Sequence, residues 1–148
     1  HVRIKHEQGQ FLADSLCEIG GVEPLKKDNR VTQRGYYFFI IRYDKNAFGG
    51  VPRDRFVEAL RAEGVPCDIG YGVPLYKQPA FQEKEISRWL PESAKPWPDY
   101  EHLFLPASER FCFEEQVTLP HQLLLLEKSK IQMVADAIHK IKTHCNEL

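Results

Sequence analysis

The sequence of 148 residues has the length and composition of one folded domain. Hydrophobic residues make up 43% and aromatic residues 11% of the chain, which is enough for a core rather than a disordered tail. The formal net charge of −1, from 20 basic and 21 acidic side chains, gives no electrostatic indication of binding to nucleic acid or to an anionic membrane. The sequence also contains no apolar run long enough to span a bilayer.

Four scattered cysteines, Cys17, Cys67, Cys112 and Cys145, form no CxxC pair, so neither a zinc site nor a redox motif is indicated. We expect free thiols and a cytoplasmic protein. The chain opens at His1 without an initiator Met, shows no pattern of a secretion signal and is helical in pattern from its start. We therefore expect a fragment of a longer polypeptide.

The first predicted element is an amphipathic helix that ends at Gly20-Gly21. Its apolar stripe consists of Ile4, Phe11, Leu12, Leu16 and Ile19. The aromatic and β-branched run over residues 36–43 predicts a central strand covered on both faces, and residues 44–50 predict a turn.

A second helix begins near Pro52 and ends at Gly64, and we expect a short strand over residues 65–71 to follow it. Residues 72–98 are rich in proline and aromatic side chains, which predicts a long ordered loop with one helical turn near residues 82–86. A loop of this length in a small domain is usually functional or faces a partner.

The last third predicts a helix over residues 103–113, a strand over residues 116–119 and a final helix over residues 127–144. Together the patterns predict an α+β domain, in which three or four helices pack on a small, mostly antiparallel sheet.

The sequence contains no GxSxG elbow, glycine-rich phosphate loop or HExxH motif. His139 and His144 lie off the apolar stripe of the last helix and are expected on the surface. His121 follows a strand end, where functional residues often lie, although it could equally bond to loop backbone.

Tyr71, Tyr76 and Lys77 lie in the segment rich in glycine and proline. A tyrosine there could hydrogen-bond a polyol substrate, or its ring could simply hold the loop on the core. The aromatic residues of the predicted central strand are expected in the core rather than in a platform for nucleic-acid bases.

Several stretches, in order along nearly the whole chain, resemble the C-terminal part of the DegT/DnrJ/EryC1/StrS aminotransferases. Residues 52–66, PRDRFVEALRAEGVP, resemble the family's helix and "aEGIP" turn, and residues 70–81, GYGVPLYKQPAF, resemble its "Y-x-PLY-x-x-P-x-F" loop. ASERFC at residues 107–112 is similar to "AERLC", and LPHQLLL at residues 119–125 to "LPH-x-LLL". Residues 11–22 resemble the "yLaerLaeipGV" opening.

The resemblance implies the small C-terminal domain of a fold-type I aminotransferase that uses pyridoxal phosphate (PLP) to aminate a keto-sugar or keto-cyclitol, often with glutamine as donor. It implies residues 1–148 as this domain, with a PLP-binding large domain and a homodimer mate as its partners. On this basis Tyr71, Tyr76 and His121 are candidates for the substrate side of the active site, and we assign no catalytic residue and no metal ligand.

The resemblance also implies that the Schiff-base lysine and the acidic partner of the pyridine nitrogen lie in the large domain, upstream of residue 1. Lys26, Lys27 and Lys77 do not lie in the family's Schiff-base context, so we expect no PLP on this chain alone and no activity from it. One alternative is a stand-alone, non-catalytic domain that binds a sugar or a protein. Another is a small interaction domain in which Phe81, Trp89 and Trp97 form an adhesive surface.

Overall fold

Three strands form one antiparallel sheet in the order β1-β2-β3. The computed structural model describes residues 1–82, 88–94, 96 and 98–148. β1 (Val22–Pro24) pairs with β2 (Phe38–Tyr43), which in turn pairs with β3 (Gln116–Pro120). The predicted antiparallel sheet, with the aromatic strand at its centre, is therefore confirmed.

Five α-helices lie in the described part of the chain, and the three longest pack with the sheet around one core. Their bounds are Val2–Ile19 for α1, Arg53–Ala62 for α2, Pro79–Gln82 for α3, Pro106–Arg110 for α4 and Lys128–Thr143 for α5. This arrangement confirms the predicted α+β class. Among the described residues, no helix combines the length and the apolar character needed to cross a membrane.

The two faces of β2 differ in burial. Phe39, Ile41 and Tyr43 are buried against the helices, whereas Phe38 and Ile40 on the opposite face are only half-buried. The expectation of a strand covered on both faces is met on one face only, because α1, α2 and α5 share their core with that face of the sheet. The strand follows the ordinary alternation of a sheet with one covered face.

Tyr43 joins β2 to the turn that follows it and to α2. Its ring stacks on Phe56 of α2 at 4.5 Å and lies 5.0 Å from Phe48, which ends the turn. Its hydroxyl donates a hydrogen bond of 2.8 Å to the carbonyl of Val51. Burial raises the pKa of Tyr43 far above its usual range, so the hydroxyl remains a neutral donor.

The segment 65–71 does not form the predicted strand. It makes a single antiparallel bridge, in which the N–H and C=O of Asp68 both bond to Thr118 of β3 at 2.9 and 2.7 Å. Gly70 then takes a positive φ of 78°, and the segment forms no further bridge to β3 after Asp68. Val65 and Cys67 are nevertheless buried, which explains the strand-like pattern of the sequence.

Two further features differ from the sequence prediction, and a third lies mostly outside the described residues. β1 was not predicted at all, since only three residues pair there. The helix predicted over residues 103–113 begins at Pro106 and continues as a π-helical turn, Phe111–Glu115. The helical turn expected near residues 82–86 lies outside the described residues except for Gln82, the last residue of α3.

Replacing Gly21 with alanine should destabilise the fold more than the same change at Gly50. Both glycines have a positive φ, 79° and 86°, so each variant carries backbone strain of about 1 to 3 kcal/mol. A Cβ at Gly21 would also lie 2.3 Å from Cβ of Ala47, whereas nothing lies within 4 Å of one at Gly50. Urea unfolding should show a larger loss for Gly21→Ala, and equal losses would contradict the packing argument.

Candidate functional site

Tyr71 is exposed at the tip of a turn framed by two glycines. Gly70 and Gly72 have φ values of 78° and 75°, and 77% of Tyr71 is accessible to solvent. A Cβ at Gly70 would lie 2.3 Å from Nε2 of Gln116, so glycine allows the turn to approach the start of β3 closely. The turn therefore presents a tyrosine side chain to solvent from a backbone that is held against the sheet.

Tyr76, five residues further on, is buried rather than exposed. Only 6% of it is exposed, and its carbonyl accepts a hydrogen bond of 2.7 Å from the side chain of Gln82. Its hydroxyl donates to the carboxylate of Glu109 and accepts a bond of 3.3 Å from the N–H of Leu105. The ring thus holds the loop on the domain, and the hydroxyl already has a donor and an acceptor as partners.

The carboxylate of Glu109 is shared by two consecutive residues of the loop. Besides the bond from Tyr76, it receives one of 2.9 Å from Nζ of Lys77, and only 17% of its side chain is exposed. The bonds from Tyr76 and then Lys77 lower the pKa of Glu109 below its ordinary value of 4.5. Burial, followed by the bond to Glu109, raises the pKa of Tyr76, and the same carboxylate raises the pKa of Lys77.

A buried arginine connects this cluster to the core. Arg53, the first residue of α2, is 6% exposed at its side chain and donates from Nη1 to the carbonyl of Cys112 at 2.7 Å. Its guanidinium also pairs with Asp54 at 2.8 Å. Cys112 lies in the π-helical turn that continues α4, so Arg53 fixes the helix that carries Glu109.

His121 lies away from the two tyrosines. It begins a 3-10 turn directly after β3, whereas Gly70 packs beside Gln116 at the other end of the same strand. The half-buried ring has a buried Nδ1 atom with no hydrogen-bond partner among the described residues. The structure therefore brings together Tyr76, Lys77 and Glu109, and leaves His121 at the opposite end of β3.

The two histidines of the C-terminal segment behave as surface residues. His139 and His144 are exposed, as predicted, and His144 bonds through Nδ1 to Glu147 at 3.0 Å. Within the described ranges, no group of three or more His, Cys, Asp or Glu side chains is arranged to hold a metal ion.

A separate apolar groove of about 680 Å³ lies between the end of α2, the turn after β3 and α5. Its lining includes Val65, Leu123 and Met133, and a pair between Glu63 and Lys140 at 2.8 Å lies at its edge. None of the predicted site residues lines it.

The aromatic residues of the long loop do not form one surface. Trp89 is strongly exposed, but Phe81 is half-buried and packs edge-on against Tyr100 with ring centroids 5.3 Å apart. Trp97, the third residue of the predicted adhesive surface, lies outside the described residues.

Glu109 was missed by the sequence analysis. It lies 33 residues from Tyr76, and no local pattern marks one surface carboxylate as the partner of a distant loop. The segment that carries it, residues 107–112, was singled out only for its resemblance to a family motif.

Comparison with known proteins identifies the relatives of this chain. The model of the DegT/DnrJ/EryC1/StrS aminotransferase family matches residues 2–124. A protein of Micromonospora echinospora assigned as an L-glutamine:3-amino-2,3-dideoxy-scyllo-inosose aminotransferase is 33% identical, over 94% of this chain and 34% of its own length. An L-glutamine:2-deoxy-scyllo-inosose aminotransferase of Streptoalloteichus tenebrarius is 30% identical, over 93% of this chain and 32% of its own length. The chain therefore spans about a third of the length of the curated relatives that it matches.

Solved structures share the fold. The crystal structure of 3-amino-5-hydroxybenzoic acid synthase matches 97% of this chain and 34% of its own with a TM-score of 0.68 and 19% identity. That of DesI in the presence of its TDP-sugar product matches 99% of this chain and 32% of its own with a TM-score of 0.65 and 23% identity.

Replacing Glu109 with glutamine should remove part of the acid dependence of stability. Because the pKa of Glu109 is lowered in the folded state, its ionised form stabilises the fold above about pH 4.5, and this contribution is lost as the pH falls through the lowered pKa. The wild-type protein should thus be more stable than Glu109→Gln at about pH 7, and the difference should shrink as the pH falls below about 4.5. Urea unfolding at several pH values measures this difference, and a gap that is independent of pH would contradict the assignment.

Proposed function

Because the chain belongs to the DegT/DnrJ/EryC1/StrS aminotransferase family, we propose that it is the small C-terminal domain of an enzyme that aminates a keto-sugar or keto-cyclitol. The observation that carries the proposal is the family match over residues 2–124, together with relatives that align along more than nine-tenths of this chain. The names of those relatives favour a cyclitol ketone as acceptor and L-glutamine as donor. The rest of the enzyme would then supply a large domain, and a second copy would complete a homodimer.

The family is PLP-dependent, but the lysines weighed in this chain do not fit the role of a Schiff-base lysine. Such a lysine is activated by a lowered pKa, whereas Glu109 raises the pKa of Lys77. Lys26 and Lys27 are exposed on the loop between β1 and β2. We therefore propose that residues outside this chain hold PLP.

The proposed role of the domain is to form the substrate side of the site. An acceptor rich in hydroxyl groups needs hydrogen-bonding partners that fix the ketone carbon in reactive geometry. Tyr71 has an exposed side chain on a glycine-framed turn, and His121 has a ring nitrogen without a partner among the described residues. Tyr76 contributes indirectly: its hydroxyl is bonded to Glu109 and Leu105, so it holds the loop in place.

The alternative of a stand-alone binding domain receives less support. The relatives match this chain as a part of longer aminotransferases, and Phe81 and Trp89 do not lie on one exposed surface. The four free cysteines agree with the proposed cytoplasmic location.

The complete gene product and the chain of residues 1–148 should differ in cofactor binding and activity. The complete protein should bind PLP and transfer the amino group of L-glutamine to a keto-cyclitol such as 2-deoxy-scyllo-inosose. Residues 1–148 alone should do neither, because the lysines weighed in the segment, Lys26, Lys27 and Lys77, do not fit the cofactor. Equilibrium dialysis with PLP and mass spectrometry of the aminated product measure both.

Amino transfer by residues 1–148 alone would refute the domain assignment. If the complete protein binds PLP but aminates only a different class of ketone, the proposed acceptor class is wrong. If it binds no PLP, the proposal that it is a PLP-dependent aminotransferase is wrong.

A further inference from the structure

We propose that Glu109 is a positioning residue, which holds Tyr76 and Lys77 and through them sets the place of Tyr71 against the acceptor. The inference rests on the proposed function, because it assumes that the loop carrying Tyr71 faces the substrate. Under this proposal Tyr71 contacts the substrate, Tyr76 anchors the loop, and Glu109 of α4 holds Tyr76 in place.

The different roles of Tyr71 and Tyr76 follow from the availability of their hydroxyl groups. A phenolic hydroxyl has one hydrogen to donate, and that of Tyr76 is already bonded to Glu109. Since the ring is also almost fully buried, Tyr76 would have to leave its place before it could donate to a ligand. Tyr71 is exposed, so it is the tyrosine of this loop that can reach an acceptor hydroxyl.

The backbone next to Tyr71 is permissive, so its position depends on neighbouring anchors. Glycines flank it on both sides, and glycine adopts more backbone conformations than any other residue. One anchor is the bridge just before the turn, in which the backbone of Asp68 bonds to that of Thr118 in β3 at 2.9 and 2.7 Å. The other is a single turn of 3-10 helix, Leu75–Lys77, which contains Tyr76 and is closed by a bond of 3.0 Å from the N–H of Lys77 to the carbonyl of Pro74.

Glu109 fixes this second anchor from α4. One carboxylate receives bonds from two consecutive side chains, and the N–H of Leu105, just before α4, adds a third bond to the same cluster. Glu109 is mostly buried, so its ion pair with Lys77 is less weakened by solvent than a pair on the open surface. Bonds to a charged group are also stronger than neutral ones.

α4 is itself held to the core, which allows Glu109 to act as a fixed point. The bond from Arg53 to the carbonyl of Cys112 ties the π-helical turn to α2. A continuous set of contacts therefore runs from α2 through Arg53 and Cys112 to Glu109, then to Tyr76 and Lys77 in the loop. Residues held in this way keep a productive geometry that side chains on a free loop do not.

Kinetics of the complete enzyme test the proposal. Glu109→Gln keeps an amide oxygen that can accept from Tyr76, but it removes the charge that holds Lys77. Its KM for the keto-cyclitol should rise about threefold to tenfold, as expected for one misplaced hydrogen bond, while turnover at saturating acceptor changes less. Tyr71→Phe should raise the same KM by a similar factor. In the double variant the two effects should not multiply, because both remove the same contact.

Glu63→Gln is the matched control, since it also removes a lysine–glutamate pair, the one with Lys140, but lies at the edge of the apolar groove. Its KM should stay at the wild-type value. An unchanged KM in Glu109→Gln, or KM effects that multiply in the double variant, would mean that Glu109 supports the fold alone.

Hydrogen–deuterium exchange of the complete protein tests the anchor without any activity. In Glu109→Gln the amides of residues 72–78 should exchange faster than in the wild type, whereas those of β2 should not change. Unchanged exchange in residues 72–78 would overturn the inference even in an inactive protein. If the wild-type enzyme aminates no ketone while the exchange does respond, the proposed function and the role of Tyr71 fail, and only the anchoring by Glu109 stands.

Discussion

The ring of Tyr43 is buried in the core while its hydroxyl keeps a hydrogen bond, and both conditions are met only where β2, the following turn and α2 converge. The stacking on Phe56 fixes α2 against the sheet, and the bond to the carbonyl of Val51 fixes the chain that leads into that helix. A buried hydroxyl without a partner would be unfavourable, so the turn and the helix cannot shift independently. α2 in turn begins with Arg53, whose bond to Cys112 places α4. The geometry of the candidate site thus depends on a contact in the core.

The elements with a strong periodic pattern could be predicted from the sequence. α1, α2 and α5 each combine a regular apolar stripe with a recognisable start or end, and β2 and β3 are rich in aromatic or β-branched residues. The predicted strand at residues 65–71 failed because burial of Val65 and Cys67 resembles a strand pattern while only Asp68 pairs. β1 carries no pattern of its own, and pairing with β2 alone defines it.

Part of the candidate site could also be predicted, and the limit is physical. Tyr71 and Tyr76 are candidates because they lie in a loop rich in glycine and proline that resembles a loop of the family. What separates them, exposure for one and burial for the other, depends on tertiary contacts that no local pattern encodes. Glu109 is the clearest case, because an ordinary glutamate acquires its place only when α4 packs beside the loop.

The two edges of the sheet are closed to further strands by different means. β1 has three residues, and the last is Pro24, which has no N–H to offer a neighbouring strand. Along β3, Thr118 already uses both its backbone groups on Asp68. Exposed sheet edges are where proteins most readily add foreign strands and begin to aggregate. A three-stranded sheet protected in this way can associate with other protein surfaces through side chains, with little tendency to polymerise through its backbone.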